Sequence, residues 1–279
     1  MIQGYDRAAT SYDQAAGMIY LKALQGLLPF VRVASCPSIL DVGCGTGINL
    51  FEASRVLAPC RRLVGVDLSP GMVNVARRKA AAYGVSAVFS VGDAQALDVE
   101  DGAFDLVICN SAYHWFPDRA RAIAELARAL RPGGQLVIAS LAQPGFDEWF
   151  SVVHDVWRRL FGCACPAFPE MPDAAALPAQ LRAAGLGIEH FKYQLGPTRI
   201  ADIPAFVSMM AVISPAWLSD VPSGTSTRVM EETERALATR SHDGFVCTYA
   251  AVEAVARKGE PIPPTLSRAP ARVGRAVAV

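Results

Sequence analysis

In the first half of the chain, short unbroken apolar runs alternate with stretches whose apolar residues recur every third or fourth position. The runs at 39–42, 63–66, 87–91, 104–109 and 135–139 are too short for buried helices, and they read as strands covered on both faces. Between them, residues 47–58 form the first helical stretch, stopped by Pro59. Ser69 and Pro70 then supply an N-cap and a first-turn proline for a helix that Tyr83-Gly84 closes. Asp118 opens a third helix, in which Ile123, Leu126, Ala127 and Leu130 share a face and which Pro132-Gly133-Gly134 ends. Strands alternating with helices predict an α/β fold, a parallel sheet covered on both faces with right-handed crossovers.

The two ends of the chain follow other rhythms. Residues 1–30 read as helical, with Tyr5, Tyr12 and Tyr20 on similar faces if the helix is continuous, and Pro29 marks its end. Beyond Leu141 an aromatic-rich helix spans 146–161, a Pro- and Ala-rich stretch covers 163–178, and a helix near 177–184 leads to a sixth strand at 188–195. Residues 200–243 read as an insertion of helices and turns, and 245–257 as the last strand. The uncharged run 203–219 contains Pro204 and Pro215 and falls short of a membrane span, so it reads as a buried lid segment. Residues 259–279, with prolines at 261, 263, 264 and 270, are expected to be a mobile tail.

Charge narrows the partners. Among 279 residues, 26 Lys and Arg balance 26 Asp and Glu, so no basic footprint for nucleic acid exists. The pairs Arg61-Arg62 and Arg158-Arg159 read as solvated helix faces. The 7 cysteines are odd in number and lack the paired spacing of a structural zinc site, which suggests a reducing, cytoplasmic setting. His154, His190 and His242 have no ligand spacing, so no metal is expected. A start containing Asp6, Arg7 and Asp13 argues against a secretory signal, and a monomer or homodimer without membrane contact is expected.

The chemistry concentrates at Asp41-Val42-Gly43-Cys44-Gly45-Thr46-Gly47, between a strand and a helix, with Asp67 ending the next strand. Glycines let a turn bring bare backbone against a ligand, and a carboxylate in that second position can accept hydrogen bonds from both hydroxyls of a ribose. A dinucleotide fingerprint needs Gly or Ala at position 48, where this chain has Ile48, so a nicotinamide oxidoreductase is disfavoured. Further along stand Gly92-Asp93-Ala94, the run ending in Asn110, and Leu130-Arg131-Pro132-Gly133-Gly134.

In that order, these residues closely resemble the landmarks of class I S-adenosylmethionine (SAM) dependent methyltransferases. The resemblance covers roughly residues 38–141. A weaker likeness at Tyr5 to Asp13 resembles the segment that folds over the cofactor in small-molecule methyltransferases. It implies a Rossmann-like seven-stranded sheet, order 3-2-1-4-5-7-6, with strand 7 antiparallel. Residues 1–30 would be a helical lid, and 31–258 the SAM-binding domain, with a cap insertion at about 200–243. By the same resemblance Asp41, Gly43, Cys44 and Gly45 line the amino acid and ribose part of SAM. Asp67 takes the ribose hydroxyls, Leu68 and Met72 flank adenine, Asp93 and Ala94 meet its amino group, Asn110 lies under the methionine end, and Tyr12 closes over the cofactor. The layout is also similar to malonyl-thioester O-methyltransferases, although the insertion has no matching basic pattern.

The loop at 110–116 leaves the fourth strand where cofactor and acceptor should meet. His114 or Tyr12 is therefore the candidate base, with the alternative that His114 and Trp115 only shape the pocket and hold the loop, and Tyr5, Tyr20, Tyr113, His114 and Trp115 are the candidate substrate contacts. Trp149, Phe150, Phe161, Phe168, Phe206, Met209, Met210 and Trp217 supply an apolar lid, core first and pocket second, which favours a small, largely apolar metabolite as acceptor and a place in secondary metabolism. A SAM-utilising enzyme that does not methylate, such as an intramolecular cyclase releasing methylthioadenosine, needs the same cofactor pocket and stays open, as does a SAM-sensing scaffold.

Overall fold

The computed structural model describes residues 2–57, 59–165, 170–213, 224–240 and 244–259. Its centre is a seven-stranded sheet with strands β1 (Ser38–Val42), β2 (Arg62–Asp67), β3 (Val88–Val91), β4 (Phe104–Asn110), β5 (Leu130–Leu141), β6 (Leu186–Ile200) and β7 (Phe245–Lys258). Their order is β3-β2-β1-β4-β5-β7-β6. The first five pair in parallel, and β7 runs antiparallel to both β5 and β6. Every residue of β1 and β4 is buried, as continuous apolar runs in a covered parallel sheet must be.

Helices α1 (Ile2–Ala8), α2 (Met18–Leu27), α3 (Ile48–Val56), α4 (Pro70–Tyr83) and α5 (Arg119–Ala129) belong to the parallel half. Helices α6 (Asp147–Phe161), α7 (Ala176–Ala183), α8 (Ile203–Ile213) and α9 (Thr225–Arg240) follow. Local chemistry sets the bounds of α4. The Ser69 hydroxyl accepts from the Met72 N–H at 3.2 Å, Pro70 occupies the first turn, and Gly84 ends the helix at φ 65°. Such a cap contributes about 1 kcal/mol.

Two elements depart from the sequence reading. The stretch Arg131-Pro132-Gly133-Gly134, expected as a turn before the strand, is a bulge inside β5. Leu130 already pairs with Phe104, and pairing resumes at Gln135 opposite Leu106. The Arg131 guanidinium spans the bulge to Asp105 at 2.5 Å, which fastens the irregular backbone to β4. The N-terminal helix is not continuous. A turn at 9–11 breaks it, a π-helical turn covers Asp13–Gly17, and a 3-10 turn at Leu28–Phe30 contains Pro29. No apolar stripe holds 9–11 in a helix; the segment bends so that the tyrosines on either side meet across the break.

Three apolar clusters hold the layers together. One lies between the sheet and the side carrying α5 and α7, with Phe104, Leu126 and Leu181 at its centre. The second packs α2, α3 and α4 on the opposite face through Leu24, Leu50 and Val73. The third is separate from the sheet faces and joins α6, α8 and α9 through Trp149, Phe206, Met210 and Val229. It is the cap. The aromatic and methionine set expected as a lid divides accordingly: Trp149, Phe206 and Met210 are cap core, Phe150 and Met209 are partly buried, and Phe161 is exposed. Phe168, Trp217, His242, the end of the 203–219 run and the tail from 260 lie outside the described residues.

Candidate active site

A cleft of about 670 Å³ opens at the carboxyl ends of β1, β2 and β4. Open parallel sheets bind ligands there, because the turns that leave the strands diverge at that edge. The floor is the turn after β1. Gly43 donates its N–H to the Val66 carbonyl at 2.8 Å, which ties the turn to β2. A side chain at Gly43 is impossible, because its Cβ would stand 2.3 Å from that of Ala112 and φ is +70°. A Cβ at Gly45 would meet no atom within 4 Å, so that position faces open space.

Asp67 stands at the end of β2 beside this turn. One carboxylate oxygen accepts from the Gly45 N–H at 2.8 Å and the other from the Ser69 N–H at 2.9 Å. These bonds fix the carboxylate plane and leave a lone pair on each oxygen for a ligand in the cleft. Burial raises the Asp67 pKa, although both N–H donors pull it back. Asp93 also lines the cleft, held by the Gln95 backbone N–H at 2.8 Å, next to Leu68, Met72 and Ala94.

Behind the lining are two buried acceptors with unused capacity. Asp41, preceding Val42 of the cleft wall, has no exposure and no close hydrogen bond on either oxygen, with only the Leu50 backbone N–H near enough to stabilise its charge. Burial and the negative charge of Asp67 push its pKa up to about 8. Asn110, preceding Ser111, donates to the Tyr20 carbonyl at 2.7 Å and to Asn49 Oδ1 at 3.0 Å, while its own Oδ1 is unpartnered. Unpaired buried acceptors are costly, and a donor-rich cation such as an ammonium group relieves them.

The roof comes from the N-terminal segment and the loop after β4. The Tyr5 and Tyr12 rings lie 6.2 Å apart, Tyr12 stacks on Tyr20 at 6.2 Å, and Tyr5 meets Trp115 edge-on at 5.8 Å. Two aspartates, each following one of the roof tyrosines, fasten this segment. Asp6 accepts from the Ser69 hydroxyl at 2.6 Å and the Gly71 N–H at 2.7 Å, at the start of α4. Asp13 takes the Lys79 ammonium at 2.6 Å and the Thr46 hydroxyl, and so joins the lid to α4 and to the glycine turn.

A second cavity of about 90 Å³ lies beside the first, between α2, the ends of β5 and β7, and the cap. Tyr20, Ser140, Tyr249 and Glu253 line it with Phe146 and Met209, and Ser111 lines both cavities.

Of the residues expected at the site, Tyr5, Tyr12, Gly43, Gly45, Asp67, Leu68, Met72, Asp93, Ala94 and Trp115 come together around the large cleft. Four others are placed differently. The Cys44 thiol turns into the core beneath the turn, and Tyr20 lines the second cavity. Tyr113 is fully buried and donates to Gln180 at 2.6 Å, so its ring is core and not a substrate contact. His114 requires the larger correction. It lies behind the wall with Nδ1 3.0 Å from the Ser140 hydroxyl, and burial lowers its pKa to about 3. The imidazole is neutral and reaches a cavity only through Ser140, so the geometry makes it a positioning residue and not the base. Tyr12 is equally unsuited as a base, since burial and the neighbouring Tyr20 raise its pKa well above the ordinary value.

The sequence reading missed Asp6, Asp13 and Lys79 as latches, and also Tyr249 and Glu253 as cavity residues. The repeated Tyr-Asp pair was the available signal for the latches: one residue of each pair faces the cleft and the next faces α4. Glu253, on a strand read only as apolar, left no signal.

The methyltransferase domain family matches residues 39–134. The chain is 35% identical over 167 residues to a demethylmenaquinone methyltransferase of Thermus thermophilus, covering 54% of this chain and 75% of that one. It is 38% identical over 155 residues to a malonyl-[acyl-carrier protein] O-methyltransferase of Hahella chejuensis, covering 55% of this chain. That match spans about half the relative, 54% of its length. The solved structure of the YcgJ protein of Bacillus subtilis superposes with a TM-score of 0.61 at 20% identity, over 86% of this chain and 99% of that one, and shares the fold. Among the described residues no helix is long and apolar enough to cross a membrane, and no group of three His, Cys, Asp or Glu converges on a metal-sized site.

Proposed function

The chain belongs to the class I SAM-dependent methyltransferase family, and from that premise we propose that it transfers the methyl group of SAM to a small, largely apolar metabolite. The observation that carries this reading is the Asp67 carboxylate, held by two backbone N–H groups beside an open glycine turn and beneath an aromatic roof. Its free lone pairs suit a ribose diol. The unpartnered acceptors Asp41 and Asn110 fit the ammonium of an amino acid end, and Asp93 with Ala94 suits an adenine edge.

When bound, SAM supplies a methyl group on a sulfonium centre. The protein's task is alignment and exclusion of water. The Asp6 and Asp13 latches keep the roof closed. The Tyr5, Tyr12 and Trp115 faces attract a cation, worth on the order of 1–2 kcal/mol when desolvated. With His114 neutral and committed to Ser140, it holds the wall of the acceptor side and moves no proton.

The intramolecular cyclase alternative requires the same cleft but leaves the second cavity without a purpose, and both named relatives are methyltransferases. Mass spectrometry of the protein incubated with SAM and candidate acceptors separates the two. S-adenosylhomocysteine formed only with an acceptor supports methyl transfer, whereas enzyme-dependent methylthioadenosine from SAM alone would overturn it.

A further inference from the structure

We propose that the 90 Å³ cavity receives the acceptor's reacting end, and that Glu253 selects an end that donates a hydrogen bond, an amine or a hydroxyl, over a carboxylate. This rests on the methyl-transfer reading above and names the substrate class of the same site.

The cavity adjoins the cofactor cleft at Ser111, which lines both. Ser111 has φ +59°, a left-handed conformation that costs a non-glycine residue energy and that clusters where geometry serves function. It is fixed there by the Ser111 N–H bond to the Ala139 carbonyl at 2.7 Å. The strand end thus turns where a methyl group must pass from one compartment to the other.

The chemistry of the far wall comes from β7. Tyr249, Ala251, Val252 and Glu253 line the cavity, while Val252 and Ala254 also belong to the core cluster beside α5 and α7. Tyr20 closes the cavity from α2, and Leu141, Phe146 and Met209 give it apolar sides. A half-buried carboxylate among aromatic and aliphatic walls requires a donor. Lys192 is the cross-strand neighbour of Glu253, but its side chain is exposed, and among the described residues no cation forms an ion pair with Glu253.

Charge then decides between acceptor classes. Neither cavity is lined by an Arg or Lys among the described residues, and the ionisable carboxylates on the two walls are Asp67, Asp93 and Glu253. A carboxylate acceptor, including a malonyl end, would meet Glu253 without a balancing cation. An amine or hydroxyl meets an acceptor suited to it.

The test is calorimetric titration of n-butylamine, n-butanol and butyrate onto wild type and Glu253→Gln, each saturated with S-adenosylhomocysteine. The expected result is that butylamine or butanol binds at least about tenfold more tightly than butyrate, and that this preference collapses in Glu253→Gln while S-adenosylhomocysteine affinity is retained. Whichever of the two donor probes binds better identifies the head group as amine or hydroxyl. Butyrate binding as tightly as the donor probes, a preference that survives in Glu253→Gln, or no binding by either donor probe overturns the proposal. Failure of wild type to bind S-adenosylhomocysteine would instead remove the methyl-transfer reading beneath it.

Discussion

The cofactor cleft and the acceptor cavity share Ser111, but they are assembled in opposite ways. The cleft is made of strand ends and the turns that leave them: Gly43, Gly45, Asp67 and Asp93 occupy positions that the βαβ frame places at one edge. The cavity is made of residues from four separate elements, α2, β5, α8 and β7, and from the turns at Ser111 and Phe146, with Tyr20 and Glu253 at its two ends in sequence. A site built from backbone turns keeps a recognisable spacing, since the turn geometry demands particular residues. A site built from converging side chains has no such spacing, and so it can change acceptor without disturbing the cofactor.

That contrast predicts that damage to the cleft is global and damage to the cavity selective. Asp67→Ala is the strongest test. Losing two hydrogen bonds to a charged group should weaken SAM binding roughly 100-fold or more by calorimetry, and a change within about threefold would remove Asp67 from the ribose site.

Asp41 comes next, through pH. Its carboxyl is neutral in the free protein up to about pH 8, whereas the unfolded chain loses that proton near pH 4. Between those values the unfolded state binds fewer protons, so stability falls as pH rises, by on the order of 5–6 kcal/mol in all. Asp41→Asn should flatten the difference in thermal unfolding between pH 5 and pH 8 and raise stability at pH 8. If an ammonium group binds there, SAM binding to wild type at pH 7 should release about one proton, measured in buffers of different ionisation heat. No proton release would place the ammonium elsewhere.

The lid yields a smaller effect. Asp13→Asn weakens the bonds to Lys79 and Thr46 while leaving the cleft floor intact, so stopped-flow measurement should show SAM dissociating about tenfold faster. An unchanged rate would mean that the Asp6 latch and the aromatic contacts hold the roof without Asp13. The least change is expected at His114. Because burial makes the ring a poor proton acceptor, His114→Gln should alter kcat by less than about fivefold, and the wild-type rate–pH profile should show no titration near 6.5. A histidine titration that vanishes in the variant would restore the ring as a base.

Legibility in the sequence followed the range of the interactions involved. The β1 run, the glycine turn, the Ser69 cap and the Gly84 stop are decided within a few residues, so each was readable and each stands at its expected place. The bulge at Arg131–Gly134 was misread as a turn because Pro and Gly favour either. Contacts distant in sequence, Arg131 to Asp105 and Arg257 to the Gly133 carbonyl, hold it within the strand. The chemistry of His114 was misread for a related reason. Residue type suggests a base, but burial behind Ser140 lowers the proton affinity of the ring and keeps it out of the cleft.

By itself, the sequence determined the alternating frame, the strand edge where a ligand binds and the acids that line it, because periodicity, capping and turn chemistry act over short stretches of chain. The tertiary structure decided which face each tyrosine presents, that Asp6 and Asp13 fasten the lid, and that Glu253 and Tyr20 meet across a cavity. Those outcomes depend on packing and desolvation between residues as many as 233 positions apart, and no local pattern records the energy of such a contact.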